Sequence, residues 1–231
     1  MSGVNISNLV VVAGTSNDNC FGDSTGRCII RYVSQIIPHP EYSVYTILND
    51  IALVLLNQDL PLVTMPNKVK SFYIETTNIP SQTMLTFSGW GATATSNNKP
   101  VNTLQQGQIP VQPADVCNQQ QLSVTTPDQL CIGSTSSTPG VNLCYGDAGS
   151  PAFYTSTSTN NHVLVAIASY GGGACGGSNH LGVWTNVKNY ITWISGYTTD
   201  LQFASYSSGG GSVNPPPTPS PSPTTNNQCV C

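Results

Sequence analysis

A serine hydroxyl, an imidazole and a carboxylate held in line can break an amide bond: the hydroxyl attacks, the imidazole takes its proton and the carboxylate orients the imidazole. The chain carries the pieces at scattered positions. Asp50 lies in Asn49-Asp50-Ile51-Ala52-Leu53, and Ser150 lies in Cys144-Tyr145-Gly146-Asp147-Ala148-Gly149-Ser150-Pro151. There are three histidines. His39 sits in Pro38-His39-Pro40-Glu41, which reads as a surface turn, His162 follows two asparagines, and His180 ends a run of Gly, Ser and Asn. All three read as solvated side chains. Cys20, Cys28, Cys117, Cys131, Cys144 and Cys175 are well separated and lack His at zinc-site spacing, so they read as disulfide cysteines. No metal and no cofactor is expected.

Four segments, taken in order, resemble the trypsin/chymotrypsin-like serine protease family. Asn49-Asp50-Ile51-Ala52-Leu53 is similar to the family's aspartate segment, Ser88-Gly89-Trp90-Gly91 to its Gly-Trp-Gly strand, and Gly146-Asp147-Ala148-Gly149-Ser150-Pro151 to its nucleophile motif. Ser169-Tyr170-Gly171 with Cys175 and Gly182-Val183-Trp184 resembles the walls of its primary specificity pocket. The resemblance covers about residues 8–197. It implies bridges Cys117–Cys131 and Cys144–Cys175. A third family bridge is lost as a unit, its two positions being Leu85 and Tyr154. Cys20–Cys28 has no counterpart; it would staple a loop that holds calcium in some relatives, and with only Asp18 and Asp23 nearby no metal is expected there.

Carried over residue by residue, the resemblance makes Asp50 the triad carboxylate and Ala148 the nucleophile position, so the nucleophilic atom is missing. The family's Ala-Ala-His-Cys segment is absent as well, the resemblance beginning at Leu9-Val10-Val11-Val12-Ala13-Gly14. Ser150 stands at a family glycine two residues past the nucleophile, where it cannot meet the ~3 Å geometry without a rebuilt turn. Backbone N–H groups of Gly146 and Ala148 would still form an oxyanion hole. Asn142 stands at the pocket base and cannot pair with a cation as a carboxylate does. Gly171 and Gly182, with Ser169 and Tyr170, imply an open slot for a large apolar or aromatic side chain. Asp147 would be buried against a new N-terminal ammonium in the family; without it, a buried carboxylate costs several kcal/mol or takes up a proton.

Short runs rich in Val, Ile, Leu and Thr must position these residues: 9–13, 28–37, 51–56, 83–89, 104–111, 130–133, 151–154, 163–169 and 182–186. Gly, Pro, Asn and Asp cluster between them, the pattern of an antiparallel sandwich or barrel. A short helix is expected from Pro113, and Val187, Tyr190, Ile191 and Ile194 at helical spacing predict a closing helix. The expected fold is therefore all-β, and the resemblance makes it a chymotrypsin-like double Greek-key β-barrel with a C-terminal helix. Its first barrel is expected to be incomplete, for want of N-terminal strands. The domain would span 1–200. Residues 201–231 read as a Gly/Ser/Pro-rich linker or tail, leading to Cys229 and Cys231, which read as the start of a missing cysteine-rich module or as a tail for intermolecular bonding.

Only 7% of the residues are charged, against a usual ~25%, and the net charge is −4. That leaves no footprint for nucleic acid, and no apolar run approaches the ~20 residues of a membrane helix. Disulfides and the sequon Asn5-Ile6-Ser7 point to secretion, although Met1 opens no signal peptide and a missing N-terminus is expected. Three readings follow. The first is a catalytically inactive homologue in a secreted binding or decoy role, with a peptide or protein ligand in the residual cleft. The second is an active serine endopeptidase, with Ala148 and the missing histidine segment as artefacts or engineered changes. The third is a non-functional truncated relic.

Overall fold

Leu85 and Phe87, two apart on one strand, both point inward, and that alternation repeats around a closed sheet. The computed structural model describes residues 6–17, 28–93, 99–136, 140–171, 175 and 177–207. Contacts divide the chain between Ser71 and Phe72 into two units.

In the first unit β1 (Val10–Ala13) pairs antiparallel with β2 (Ile29–Pro38), which pairs with β3 (Ala52–Leu56). Among the described residues these three strands make an open sheet rather than a barrel. Gly14, at φ +73°, turns the chain out of β1 in left-handed backbone that favours glycine.

The second unit holds β4 (Tyr73–Glu75), β5 (Met84–Gly89), β6 (Gln105–Gln112), α1 (Ala114–Gln119), β7 (Gln129–Ser134), β8 (Pro151–Thr155), β9 (His162–Gly171), β10 (His180–Asn186), a 3₁₀ turn (Val187–Tyr190), α2 (Ile191–Ser195) and β11 (Phe203–Ala204). Strands β5, β6 and β7 run as an antiparallel meander; β8 returns to the free side of β5, a Greek-key order. β9 then pairs with β8, and β10 pairs with both β9 and β7, which closes a six-stranded barrel. The barrel and the closing helix make the fold chymotrypsin-like.

Inside the barrel Leu85, Phe87, Ile109, Ile132, Val165 and Trp184 form one core, with Phe87 meeting Trp184 edge to face at 5.4 Å. A second core packs Leu122, Val124, Leu181 and Val183 around the Cys117–Cys131 bridge, which ties α1 to β7. Every residue of β10 is therefore buried, because both of its faces are covered. The register Thr86↔Phe153 and Phe87↔Ala152 sets Leu85 opposite Tyr154, the two positions of the lost bridge.

Two short strands escaped the sequence reading. β4 and β11 lie outside the barrel: β4 pairs parallel with β9, and β11 pairs parallel with β4. The tail expected from residue 201 therefore starts later, since Ile74 N–H donates to Gln202 O and Thr76 N–H to Ala204 O.

Candidate active-site region

The turn at residues 144–150 is built around two glycines. Gly146 (φ +91°) and Gly149 (φ +90°) hold left-handed backbone that favours glycine. Three hydrogen bonds fix it: Asp147 N–H donates to Cys144 O (3.1 Å), Ser150 N–H to Asp147 O (2.9 Å), and Gly149 N–H to Ala168 O on β9 (2.9 Å). The result turns Asp147 inward and leaves Ala148 exposed.

Asp147 lies in a cradle that only glycine permits. Its Oδ1 accepts Gly91 N–H at 2.9 Å and its Oδ2 accepts Cys144 N–H at 2.9 Å. A Cβ on Gly89 or Gly91 would stand 2.2–2.4 Å from the carboxylate. Burial pushes the Asp147 carboxyl above its ordinary value, and the two N–H donors oppose that rise. The uncompensated carboxylate expected from the sequence is thus replaced by one with two backbone donors.

On the outer side of the turn a cleft of about 260 Å³ is lined by Tyr145, Gly146, Ala148, Ser169, Tyr170, Gly171 and His180, with Cys144 and Cys175 at its wall. Cys144 and Cys175 are bridged, tying the turn to the segment after β9. Tyr170 donates its hydroxyl to Ser123 O (3.2 Å), and burial raises the pKa of its phenol against a smaller lowering by Gln129.

The family model for trypsin matches residues 6–194. The chain belongs to the trypsin family. Trypsin eta of Drosophila melanogaster is 32% identical over 189 residues, covering 81% of this chain and 66% of its own length. Melanization protease 1 of the same fly is 31% identical over 196 residues, 78% of this chain and 48% of its own length. Trypsin I-P1 of Gallus gallus is 31% identical over 161 residues, 70% of this chain and 60% of its own length. The chain thus spans about half to two thirds of these curated relatives.

Within this trypsin-family frame, the expected site residues divide. Gly146, Ala148, Ser169, Tyr170 and Gly171 share the cleft. Asn142 does not line it; its side chain donates to Gly177 O (3.1 Å), and it lines a separate cleft of about 340 Å³ with Asp147, Gly91 and Gln106. Gly182 faces Gly171 across β10 and β9. Leu143 lies beside both, a Cβ on either glycine meeting its Cδ2 at 3.4 Å, and it lines the cleft with Gly171. Nothing in the spacing of Leu143 from the glycines revealed this, because the contact is made across the barrel.

Ser150 does not line the cleft. A Cβ on Gly89 would lie 2.9 Å from Ser150 Oγ, so the hydroxyl faces the Gly89–Asp147 cradle. His180, expected to be solvated, is 3% exposed and opens β10. His162 opens β9 and is part-exposed, its ring edge to face with Phe72 and Phe153 and its Nδ1 2.9 Å from Thr155 Oγ1. In the first unit His39 stays in a turn, its Nδ1 accepting Glu41 N–H at 3.3 Å. Asp50 follows Asn49, whose φ is +55° and whose amide donates to Glu41 O (3.0 Å), while His39 N–H donates to Ile51 O (3.0 Å). The aspartate segment and the His39 turn are therefore one folded piece.

Cys28 is disulfide-bonded; its expected partner Cys20, and Asp18 and Asp23, lie outside the described residues. Among the described residues, no three His, Cys, Asp or Glu gather as a metal site needs, and no helix is long and apolar enough to cross a membrane.

Proposed function

We propose that this trypsin-family chain is a homologue without peptidase activity, acting outside the cell by holding a peptide or protein segment in the cleft beside Ala148. One observation carries the reading: a methyl group stands on the cleft wall next to Gly146, where the family's nucleophile motif places a hydroxyl. A methyl has no lone pair to attack a carbonyl and no proton to pass to a base. Loss of one triad member leaves only ~10³–10⁴-fold acceleration over water, supplied by binding and oxyanion donors. Two disulfides in a chain of this family favour an oxidising compartment. At about 260 Å³ the cleft falls below the ~300–1,000 Å³ of drug-sized sites, so it suits a single side chain of the ligand.

The likeness to Trypsin eta favours the opposite reading, a serine endopeptidase. A fluorophosphonate probe separates the two. The purified protein is expected to take no label. Acetylated tetrapeptides carrying Ala, Ser or Phe are expected to bind with Kd about 0.1–1 mM, and those carrying Arg about tenfold more weakly, since no Asp or Glu lines the cleft. Labelling of any serine, with peptide cleavage lost in parallel, would overturn the proposal.

A further inference from the structure

Beyond the region around Ala148, the barrel carries a further cleft of about 460 Å³, within the ~300–1,000 Å³ range of small-ligand sites. Its floor is Thr86 and Met84 on β5 and Gln108 on β6. One wall is the loop 155–158, made only of Thr and Ser, and the other is Ser205, Tyr206 and Ser207. None of its lining residues is Asp, Glu, Lys, Arg or His. That wall at 205–207 lies beyond residue 194, where the family match ends.

The wall is built and held. Glu75 is 1% exposed, and its Oε1 accepts Tyr206 N–H (3.1 Å), Thr77 N–H (2.6 Å) and Thr77 Oγ1 (2.7 Å), while its Oε2 accepts the Tyr154 hydroxyl at 2.7 Å. The Tyr154 and Tyr206 rings meet edge to face, 5.4 Å apart at 88°. With its hydroxyl committed to Glu75, Tyr154 offers the cleft its ring. Two anchored aromatic rings beside a lining of hydroxyls and an amide form a surface that both stacks and hydrogen-bonds, and each hydroxyl can donate and accept.

From this we infer that the cleft is a binding site for an uncharged oligosaccharide. A charged ligand would lose its hydration with no opposite charge in the lining to replace it. Backbone on the cleft floor is open on one side, since β5 pairs with β8 only at Thr86 and Phe87 and β6 with β7 only at Val111 and Gln112, so a peptide strand is the rival occupant. Apolar anchors of a peptide meet only Met84 and the two rings. A neutral sugar matches what remains, its hydroxyls meeting Ser, Thr and Gln and its C–H faces meeting tyrosine.

The test uses the full chain with maltotriose, cellotriose and triacetylchitotriose, read by saturation-transfer NMR and calorimetry. At least one is expected to bind with Kd about 0.1–3 mM, and sialyllactose at least about tenfold more weakly than that sugar. Tyr206→Ala and Gln108→Ala are each expected to weaken binding at least about tenfold, whereas Tyr32→Ala, on the first unit, leaves it unchanged. A thermal melt accompanies each variant, and if Tyr206→Ala fails to fold, Gln108→Ala decides. The proposal is overturned if none of the three sugars binds, if sialyllactose binds as well as they do, or if binding survives in a folded Gln108→Ala variant. A Pro/Ser/Thr peptide that binds while the sugars do not overturns it too.

Discussion

At the residue scale, Asp147 shows how two missing side chains hold one charged group. Gly89 and Gly91 leave the space its carboxylate fills, so Gly91→Ala is expected to cost about 2–3 kcal/mol in urea unfolding, the upper part of the overpacking range. A loss below about 0.5 kcal/mol would show the cradle to be adaptable. The same carboxylate has a pH signature. Its folded pKa is raised above 3.8, so the folded state holds the proton longer than the unfolded chain does. The stability from that group is therefore fully present below 3.8 and is lost as pH rises through the folded value. The difference in urea midpoint between wild type and Asp147→Asn should drift against wild type over that window and be flat above it. A drift of opposite sign would mean that the Gly91 and Cys144 donors outweigh burial.

At the scale of elements, the last strand of the second unit is held by backbone pairing with β4 and by the carboxylate of Glu75. Glu75 gathers donors from Thr76, Thr77, Tyr154 and Tyr206, and burial, with the Glu75 bond next, pushes the pKa of the Tyr154 phenol above its ordinary value. Glu75→Ala would leave these donors buried without an acceptor and is expected to cost about 3 kcal/mol or more. Glu75→Gln keeps one accepting oxygen and should lose about half of that. Hydrogen exchange gives the local reading: the Ile74 and Thr76 amides, which donate to Gln202 and Ala204, should exchange much faster in Glu75→Ala while the β5 amides do not. Equal acceleration in β5 would show that β11 is no separate latch. Little of this was legible in the sequence. Long runs such as 29–38 and 162–171 announce themselves by composition, but Tyr73–Glu75 and Phe203–Ala204 are too short to show a period and exist only through each other. The turn at 144–150 was legible only through its resemblance to the family's nucleophile motif, and its left-handed corners at Gly146 and Gly149 come from the structure. Leu143 beside Gly171 and Gly182, and the burial of His180, depend on contacts between strands distant in sequence, which no local spacing encodes.

At the scale of the whole molecule, the two units differ in what they complete. The second closes its sheet on itself, encloses Trp184, Leu85 and Ile109, and holds the Cys117–Cys131 and Cys144–Cys175 bridges. Loops of 14 and 31 residues closed by those bridges remove chain entropy worth about 3 and nearly 4 kcal/mol in the loop-closure picture. Among the described residues the first unit has three strands and keeps Tyr32, Tyr45, Val54, Leu55 and Val63 exposed. An open three-stranded sheet with its apolar side chains in water has little burial to set against the entropy of ordering its chain. A fragment of residues 72–207 is therefore expected to fold alone when its disulfides form. In urea it should show one transition, seen together by near-ultraviolet circular dichroism of the Phe87–Trp184 pair and by far-ultraviolet signal, with a slope of about 1–3 kcal/mol/M. A fragment of residues 1–71 should show no cooperative transition. If 72–207 melts gradually or shows transitions that do not coincide, the barrel draws its stability from outside itself. The closed sheet would then be an insufficient account of why this chain folds.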